Sequence, residues 1–202
     1  MNDKIPLEIE VKFYVNRFSS LRDRVIKLGG KSGGCVFERN IRFEDNNNSL
    51  EKNKSLLRLR QDNKSILTFK SQSRNLDNQF KILKELEVEV GNFENTQLLL
   101  ESLGYHQEQI YEKWREKIVL KDTLICLDIM PFGNFLEIEG SKSGIKDCSK
   151  SLGLNWEKRI ILNYLEMFKI LSEQENFPFN DITFENFKGF TFDIANYIGR
   201  FR

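Results

Sequence analysis

At 202 residues, with 40% hydrophobic and 30% charged, the chain is long enough to bury one substantial core and too apolar to be disordered. Its 31 basic residues face 30 acidic ones, a formal net charge of +1, which excludes the global basic field of a nucleic-acid binder and leaves any electrostatic function to charge placement. Cys35, Cys126 and Cys148 are odd in number and lack ligand spacing, which argues against a disulfide framework or a zinc site and for a reducing cytoplasm.

The first element is a strand over 7–15, where Leu7-Glu8-Ile9-Glu10-Val11-Lys12-Phe13 alternates without a break. Side chains on a strand point to opposite faces with a period of two, so Glu8, Glu10 and Lys12 share one face and the apolar residues the other. Ser19 or Ser20 caps a helix that carries Leu21, Val25 and Leu28 and stops at Gly29-Gly30. Strands follow over 35–44, 55–61 and 64–70, separated by turns at Glu44–Asn48 and Gln61–Lys64, the second short enough for a hairpin. After a strand over 82–90, a helix over 93–103 sets Leu98, Leu99 and Leu103 at helical spacing and ends at Gly104. Strands over 110–119, 123–130 and 134–140 complete the sheet. A helix over about 143–152 stops at Gly153, and a longer one over about 156–174 buries Ile160, Ile161, Tyr164, Leu165, Phe168 and Leu171. The Phe-rich tail, with turns at Pro178 and Gly189, is expected to fold back as a short helical or irregular segment. The domain organisation expected is one domain over 1–175 with residues 176–202 packed on it as an extension, without linker or internal repeat.

The alternation recurs. Arg58 and Arg60 alternate with Leu57 and Leu59, Glu85, Glu87 and Glu89 with Leu86 and Val88, and Glu137 and Glu139 with Leu136 and Ile138. One such pair is most often a solvated strand face. Repeated across the sheet, the pattern calls for charge concentrated on one side. Eight candidate strands match the number that closes a barrel, so the expected fold is mostly β (α+β): a closed eight-stranded antiparallel barrel with helices packed outside. Its inward set is Glu8, Glu10, Lys12, Arg58, Arg60, Thr68, Lys70, Glu85, Glu87, Glu89, Lys113, Arg115, Lys117, Asp128, Glu137 and Glu139, of which Glu89 and Lys117 lie at strand ends where surface pairing is the plainer expectation.

Burying such charges unpaired would cost several kcal/mol per ion even after relaxation. Either they neutralise one another as an inert lattice, or they surround a polyanion and its cations. Arg and Lys grip phosphate oxygens, and carboxylates two apart on a strand converge on a hard cation such as Mg²⁺ or Mn²⁺. The lone histidine, His106, sits beside Tyr105 in an expected turn and is read as solvated, so a site here works with carboxylates, cations or metal.

In this order, the motifs resemble the CYTH group of triphosphate tunnel metalloenzymes, which includes class IV adenylate cyclases, thiamine triphosphatases and inorganic triphosphatases. The run Glu8-x-Glu10-x-Lys12 is similar to that group's N-terminal signature. Arg39-Asn40-Ile41-Arg42-Phe43-Glu44-Asp45, Leu57-Arg58-Leu59-Arg60, Leu67-Thr68-Phe69-Lys70 and Lys84-Glu85-Leu86-Glu87 follow, then Lys113-Trp114-Arg115, Leu127-Asp128 and Leu136-Glu137-Ile138-Glu139. The resemblance covers roughly residues 6–172. It implies a triphosphate-binding tunnel in which Glu8, Glu10, Glu137 and Glu139 hold a divalent metal and Glu87 and Asp128 place a second. Lys12, Arg58, Arg60, Lys70, Lys113 and Arg115 would bind phosphates, and Glu8, Glu10, Lys12, Glu137 and Glu139 would form the catalytic set. The chain departs from the pattern where Ser71-Gln72 replaces the Gly-Pro common after the lysine strand, and Lys158 is the candidate for a late lysine used by some triphosphatases.

The expected function is therefore a phosphohydrolase, dependent on Mg²⁺ or Mn²⁺, acting on inorganic triphosphate, thiamine triphosphate or a nucleoside triphosphate. The alternative enzyme is a class IV adenylate cyclase that converts ATP to cyclic AMP and pyrophosphate. A non-catalytic polyphosphate-binding module is the reading from a different class; it would keep Arg58, Arg60 and Lys70 while tolerating loss of Glu8 and Glu137. The partner expected is a small-molecule triphosphate, with no nucleic acid and no membrane, for a cytoplasmic monomer or homodimer. No apolar run has signal-peptide length or approaches the roughly 18 residues of a membrane span.

Overall fold

A computed structural model describes residues 5–73 and 77–201. Each of the eight alternating runs becomes a strand: β1 (Leu7–Tyr14), β2 (Lys31–Asp45), β3 (Ser55–Gln61), β4 (Ser65–Gln72), β5 (Lys81–Val90), β6 (Tyr105–Leu120), β7 (Thr123–Met130) and β8 (Gly133–Glu139). Helices α1 (Ser19–Lys27), α2 (Ser49–Lys52), α3 (Phe93–Ser102), α4 (Lys142–Ser151) and α5 (Tyr164–Glu175) punctuate them. The sheet closes on itself in the order β1-β5-β4-β3-β2-β6-β7-β8, every neighbouring pair antiparallel. Residues directly opposite in an antiparallel pair share a face, so the register decides what the ring encloses. Glu10 lies opposite Glu139, Lys12 opposite Glu137, Arg58 opposite Thr68, Thr68 opposite Glu87, Lys70 opposite Glu85, and Arg115 opposite Asp128. Charge therefore lines the inside.

The apolar faces look outward and are covered in large part by helices, while Leu86 and Val88 of β5 and Trp114 of β6 stay exposed. Leu21 and Val25 of α1, with Ile145 and Cys148 of α4, pack on Val11, Ile118, Ile125, Leu136 and Ile138. Gly29 ends α1 at φ +96, and Gly30 lets the chain pass where a Cβ would come 2.7 Å from Val25 Cγ1. Phe93 and Leu100 of α3 cover Ile41, Phe43 and Leu59. This reverses the expected face of α3. Leu98, Leu99 and Leu103 are 59%, 59% and 67% exposed, because the side presented to the sheet is set by Phe93 and the residue seven positions on.

The helix expected over 156–174 is broken. Trp156–Lys158 form a single 3₁₀ turn, Ile160 is extended, and α5 begins only after Asn163, whose side chain caps it reciprocally with Glu166. The reason lies across the ring. β5 reaches β1 only as far as Glu10, leaving the backbone of Lys12 exposed on that edge, and Ile160 fills it with two hydrogen bonds of 2.9 and 2.8 Å. Likewise β7 pairs with β6 only over Trp114–Leu120, and Ile182 of the tail bonds the free edge at Ile110 and Glu112. Unpaired strand edges demand such cover. Between these two anchors α5 and the tail close one end of the ring with an aromatic cluster that includes Phe132, Phe135, Phe168, Phe187 and Phe201. His106, expected in a turn, instead starts β6, which begins directly after Gly104.

Candidate functional site

The ring encloses a cavity of about 1080 Å³ that continues to the polar face of α5. Its acidic side comes from β1 and β8. Lys12 Nζ lies 2.6 Å from Glu10 Oε1 and 3.2 Å from Glu137 Oε1, all three groups being almost fully buried. Carboxylate oxygens of Glu8, Glu10 and Glu139 lie within 4.8 Å of one another, as do Glu137, Glu139 and the thiol of Cys126. Three hard oxygens at that separation, open to the cavity, fit the donor preference of Mg²⁺ or Mn²⁺. Burial, then the charge of Glu137, pushes the Glu139 carboxyl up to about 8. Glu137 goes the other way: burial would raise it, but Arg115, Lys12 and Lys113 together hold it well below the carboxylate range.

The basic side comes from β3, β4 and β6. Arg58 donates to Thr68 at 3.0 Å and to Tyr111 and Glu87 at 3.3 Å. Arg60 lies 3.5 Å from Asp62 and 3.7 Å from Glu87. The Nε atoms of both arginines are buried and donate to nothing among the described residues. Lys70 pairs with Glu8 and, at 3.0 Å, with Glu85. Arg115 donates to Asp128 at 2.6 Å and also to Glu137, and Lys113 lies 3.3 Å from Asp128. A sixth element enters from outside the sheet: the Tyr164 hydroxyl of α5 donates to Asp128 at 2.7 Å, and its ring sits 5.4 and 5.3 Å from the ammonium groups of Lys12 and Lys113. Cations aimed inward beside a carboxylate trio can bind a metal-associated polyanion.

Of the residues singled out in the sequence, Glu8, Glu10, Lys12, Arg58, Arg60, Lys70, Glu87, Lys113, Arg115, Glu137 and Glu139 border the cavity. Asp128 lies just behind, at 0% exposure. Of the expected four-carboxylate metal set, Glu8, Glu10 and Glu139 converge, and Glu137 lies within 4.8 Å of Glu139 while also pairing with Lys12 and Arg115. Glu87 and Asp128 stand on β5 and β7, three strands apart around the ring, and each is committed to cations. Glu89 pairs outside with Lys64. Lys158 is exposed in its 3₁₀ turn away from the cavity, and Lys169 of α5 borders it instead.

Sequence reasoning missed Lys81, Arg42, Glu38, Asn40 and Tyr164. Glu38, Asn40 and Arg42 continue the inward register of β2, but Arg39 on the opposite face hides the alternation. Lys81 opens β5 where Lys84 likewise disguises the period. Tyr164 passed as part of an apolar helical stripe.

The CYTH domain model matches residues 6–167. Among solved structures, the PH1012 protein from Pyrococcus horikoshii OT3 superposes with a TM-score of 0.67 at 30% identity, over 79% of this chain and 98% of that one. A candidate adenylate cyclase from Vibrio parahaemolyticus gives 0.72 at 16% identity, over 82% and 99%. A candidate adenylyl cyclase from Hippeastrum, described as having a dominant triphosphatase activity, gives 0.56 at 17%, over 81% and 95%. The last two likenesses concern the fold alone. No curated protein matches the chain. Among the described residues, no helix is long and apolar enough to cross a membrane.

Proposed function

The chain belongs to the CYTH domain family, and on that premise we propose that it is a divalent-metal-dependent hydrolase of a triphosphate-containing substrate. The observation that carries this reading is the meeting, in one cavity, of the Glu8–Glu10–Glu139 oxygens with inward cations, including Arg58, whose Nε donates to nothing among the described residues, and Arg60, whose Nε has only a 3.5 Å approach to Asp62. Lys12, Arg58, Arg60, Lys70, Lys113 and Arg115 hold the phosphate chain extended and offset its growing charge, which is most of what phosphoryl transfer asks of a protein. Glu8, Glu10 and Glu139 hold Mg²⁺ or Mn²⁺, with Glu137 beside them. A bound divalent ion supplies charge stabilisation at phosphate oxygens and lowers the pKa of water. Glu87 and Asp128, already committed to Arg58 and Arg115, orient those guanidinium groups rather than holding a second ion.

The test is a substrate panel of inorganic triphosphate, thiamine triphosphate and ATP, with Mg²⁺ and Mn²⁺ separately. Arg58→Ala and Glu137→Ala are each expected to lower kcat/KM by more than about 1,000-fold, or about 4 kcal/mol, with unchanged circular dichroism. Near-normal turnover in either variant removes the site. Cyclic AMP from ATP would transfer the protein to the cyclase reading, and triphosphate binding without any turnover to that of a binding module.

A further inference from the structure

Most cations of the bore share hydrogen bonds with acids, but Lys81 does not. It faces inward at the start of β5, opposite Glu10 in the register, and borders the cavity. Its ammonium makes no hydrogen bond among the described residues, and its one ion pair is a 3.7 Å approach to Glu10 Oε1. Lys12 holds the same oxygen at 2.6 Å, so Glu10 is shared between two ammonium groups and Lys81 has the longer contact. Yet the Lys81 side chain is only 13% exposed, and a nearly buried ammonium needs an anion.

Glu10 is also one of three groups whose oxygens converge as a cation site. A carboxylate oxygen turned to a divalent ion is less available to an ammonium at 3.7 Å, so loading that site removes the one ion pair Lys81 makes among the described residues and leaves it only the longer-range field of Glu166 on α5. The replacement has to be an anion inside the bore, beside Glu10.

We propose that Lys81 is a further substrate-binding residue: it is released from Glu10 when the divalent ion binds and then pairs with an oxygen of the phosphate chain. The inference rests on the triphosphate reading of the same cavity. It adds a direction to assembly. Metal loading and anion loading are coupled through one shared carboxylate, and Lys81 contributes to affinity only after the metal is in place.

Full-length protein carrying Lys81→Met tests this by three measurements. With Mg²⁺ present, KM for inorganic triphosphate is expected to rise about tenfold, by a larger factor than kcat falls, and Lys81→Arg to restore most of it. Without metal, calorimetric affinity for triphosphate is expected to change by less than about threefold, because Glu10 still occupies Lys81 in that state. Binding of Mn²⁺ alone, followed by electron paramagnetic resonance, is expected to tighten by a few-fold as a competing positive charge is removed. An unchanged KM would show that Lys81 only neutralises Glu10 and overturn the inference. Equal weakening with and without metal would overturn it too, since Lys81 would then be a standing ligand. If Lys81→Met does not fold, Lys81→Arg must still show normal coupling between Mn²⁺ and triphosphate, and its loss there counts against the pairing. Failure of the unsubstituted chain to bind or cleave triphosphate defeats the functional reading and this inference with it, whereas normal turnover with an indifferent Lys81→Met defeats the inference alone.

Discussion

The charged bore and the aromatic cluster behind α5 are both buried, but opposite forces hold them. In the bore, Glu10, Lys12, Arg58, Lys113, Arg115 and Glu137 are each 7% exposed or less, and nearly every one touches two or more oppositely charged groups. In the cluster, Phe135, Met167, Leu171, Ile182 and Phe201 are at 0%, and rings meet edge-on or stacked, as Phe168 and Phe177 do at 6.0 Å. Ion pairs roughly balance their own desolvation, so the bore adds little net stability and its partners can be exchanged at small cost when a ligand arrives. Apolar burial has no such alternative partners, so the cluster sets the frame. Tyr164 belongs to both regions, its ring among the phenylalanines and its hydroxyl on Asp128.

Three substitutions test that division, in descending order of expected effect. Phe187→Ala removes a ring in contact with Phe168, Phe177 and Phe179, at 6.1, 5.2 and 5.2 Å. It should cost about 3–4 kcal/mol in urea unfolding while turnover per folded molecule stays near normal. Loss of turnover without loss of stability would break the contrast. Tyr164→Phe keeps the ring and deletes one buried hydrogen bond. A stability loss of about 1–2 kcal/mol and a fall in kcat/KM of about tenfold are expected, the second because Asp128 orients Arg115 less firmly.

The smallest effect is one of pH. Burial and Glu137 raise the Glu139 carboxyl from 4.5 to about 8 in the fold, so the folded state binds its proton more tightly than the unfolded chain. The stability this supplies is complete below about 4.5 and is lost as pH climbs to about 8. Glu10 and Glu137 are lowered in the fold and act only on the acid side of that window. Metal-free protein should therefore melt a few degrees lower at pH 8 than at pH 5, and Glu139→Gln should flatten the slope. An identical slope in the variant would place the titrating group elsewhere.

Much of the fold was legible in the sequence because a strand's two faces are a local property. Alternation in Leu7–Phe13, Leu57–Arg60 and Leu136–Glu139 depends only on the backbone period, and strands formed at those places with charge inward. The same locality explains the misses. Helical spacing in 156–174 was real, but the open edge of β1 at Lys12 claimed Ile160, and propensity yields to an unpaired backbone. Residues whose alternation is broken by a charge on the opposite face, as Arg39 does for Glu38 and Asn40 and Lys84 for Lys81, carried no clear period to read.

The amino-acid order by itself thus determined which residues are strands, which face of each is charged, and that the closed ring would be lined with acids and bases. Which acids converge was decided only in three dimensions. Glu8 and Glu139 meet Glu10, and Glu137, near Glu139, is also held by Lys12 and Arg115, because stagger between strands more than a hundred residues apart sets which side chains share a level. That stagger is a property of the whole ring's register, which no single segment encodes.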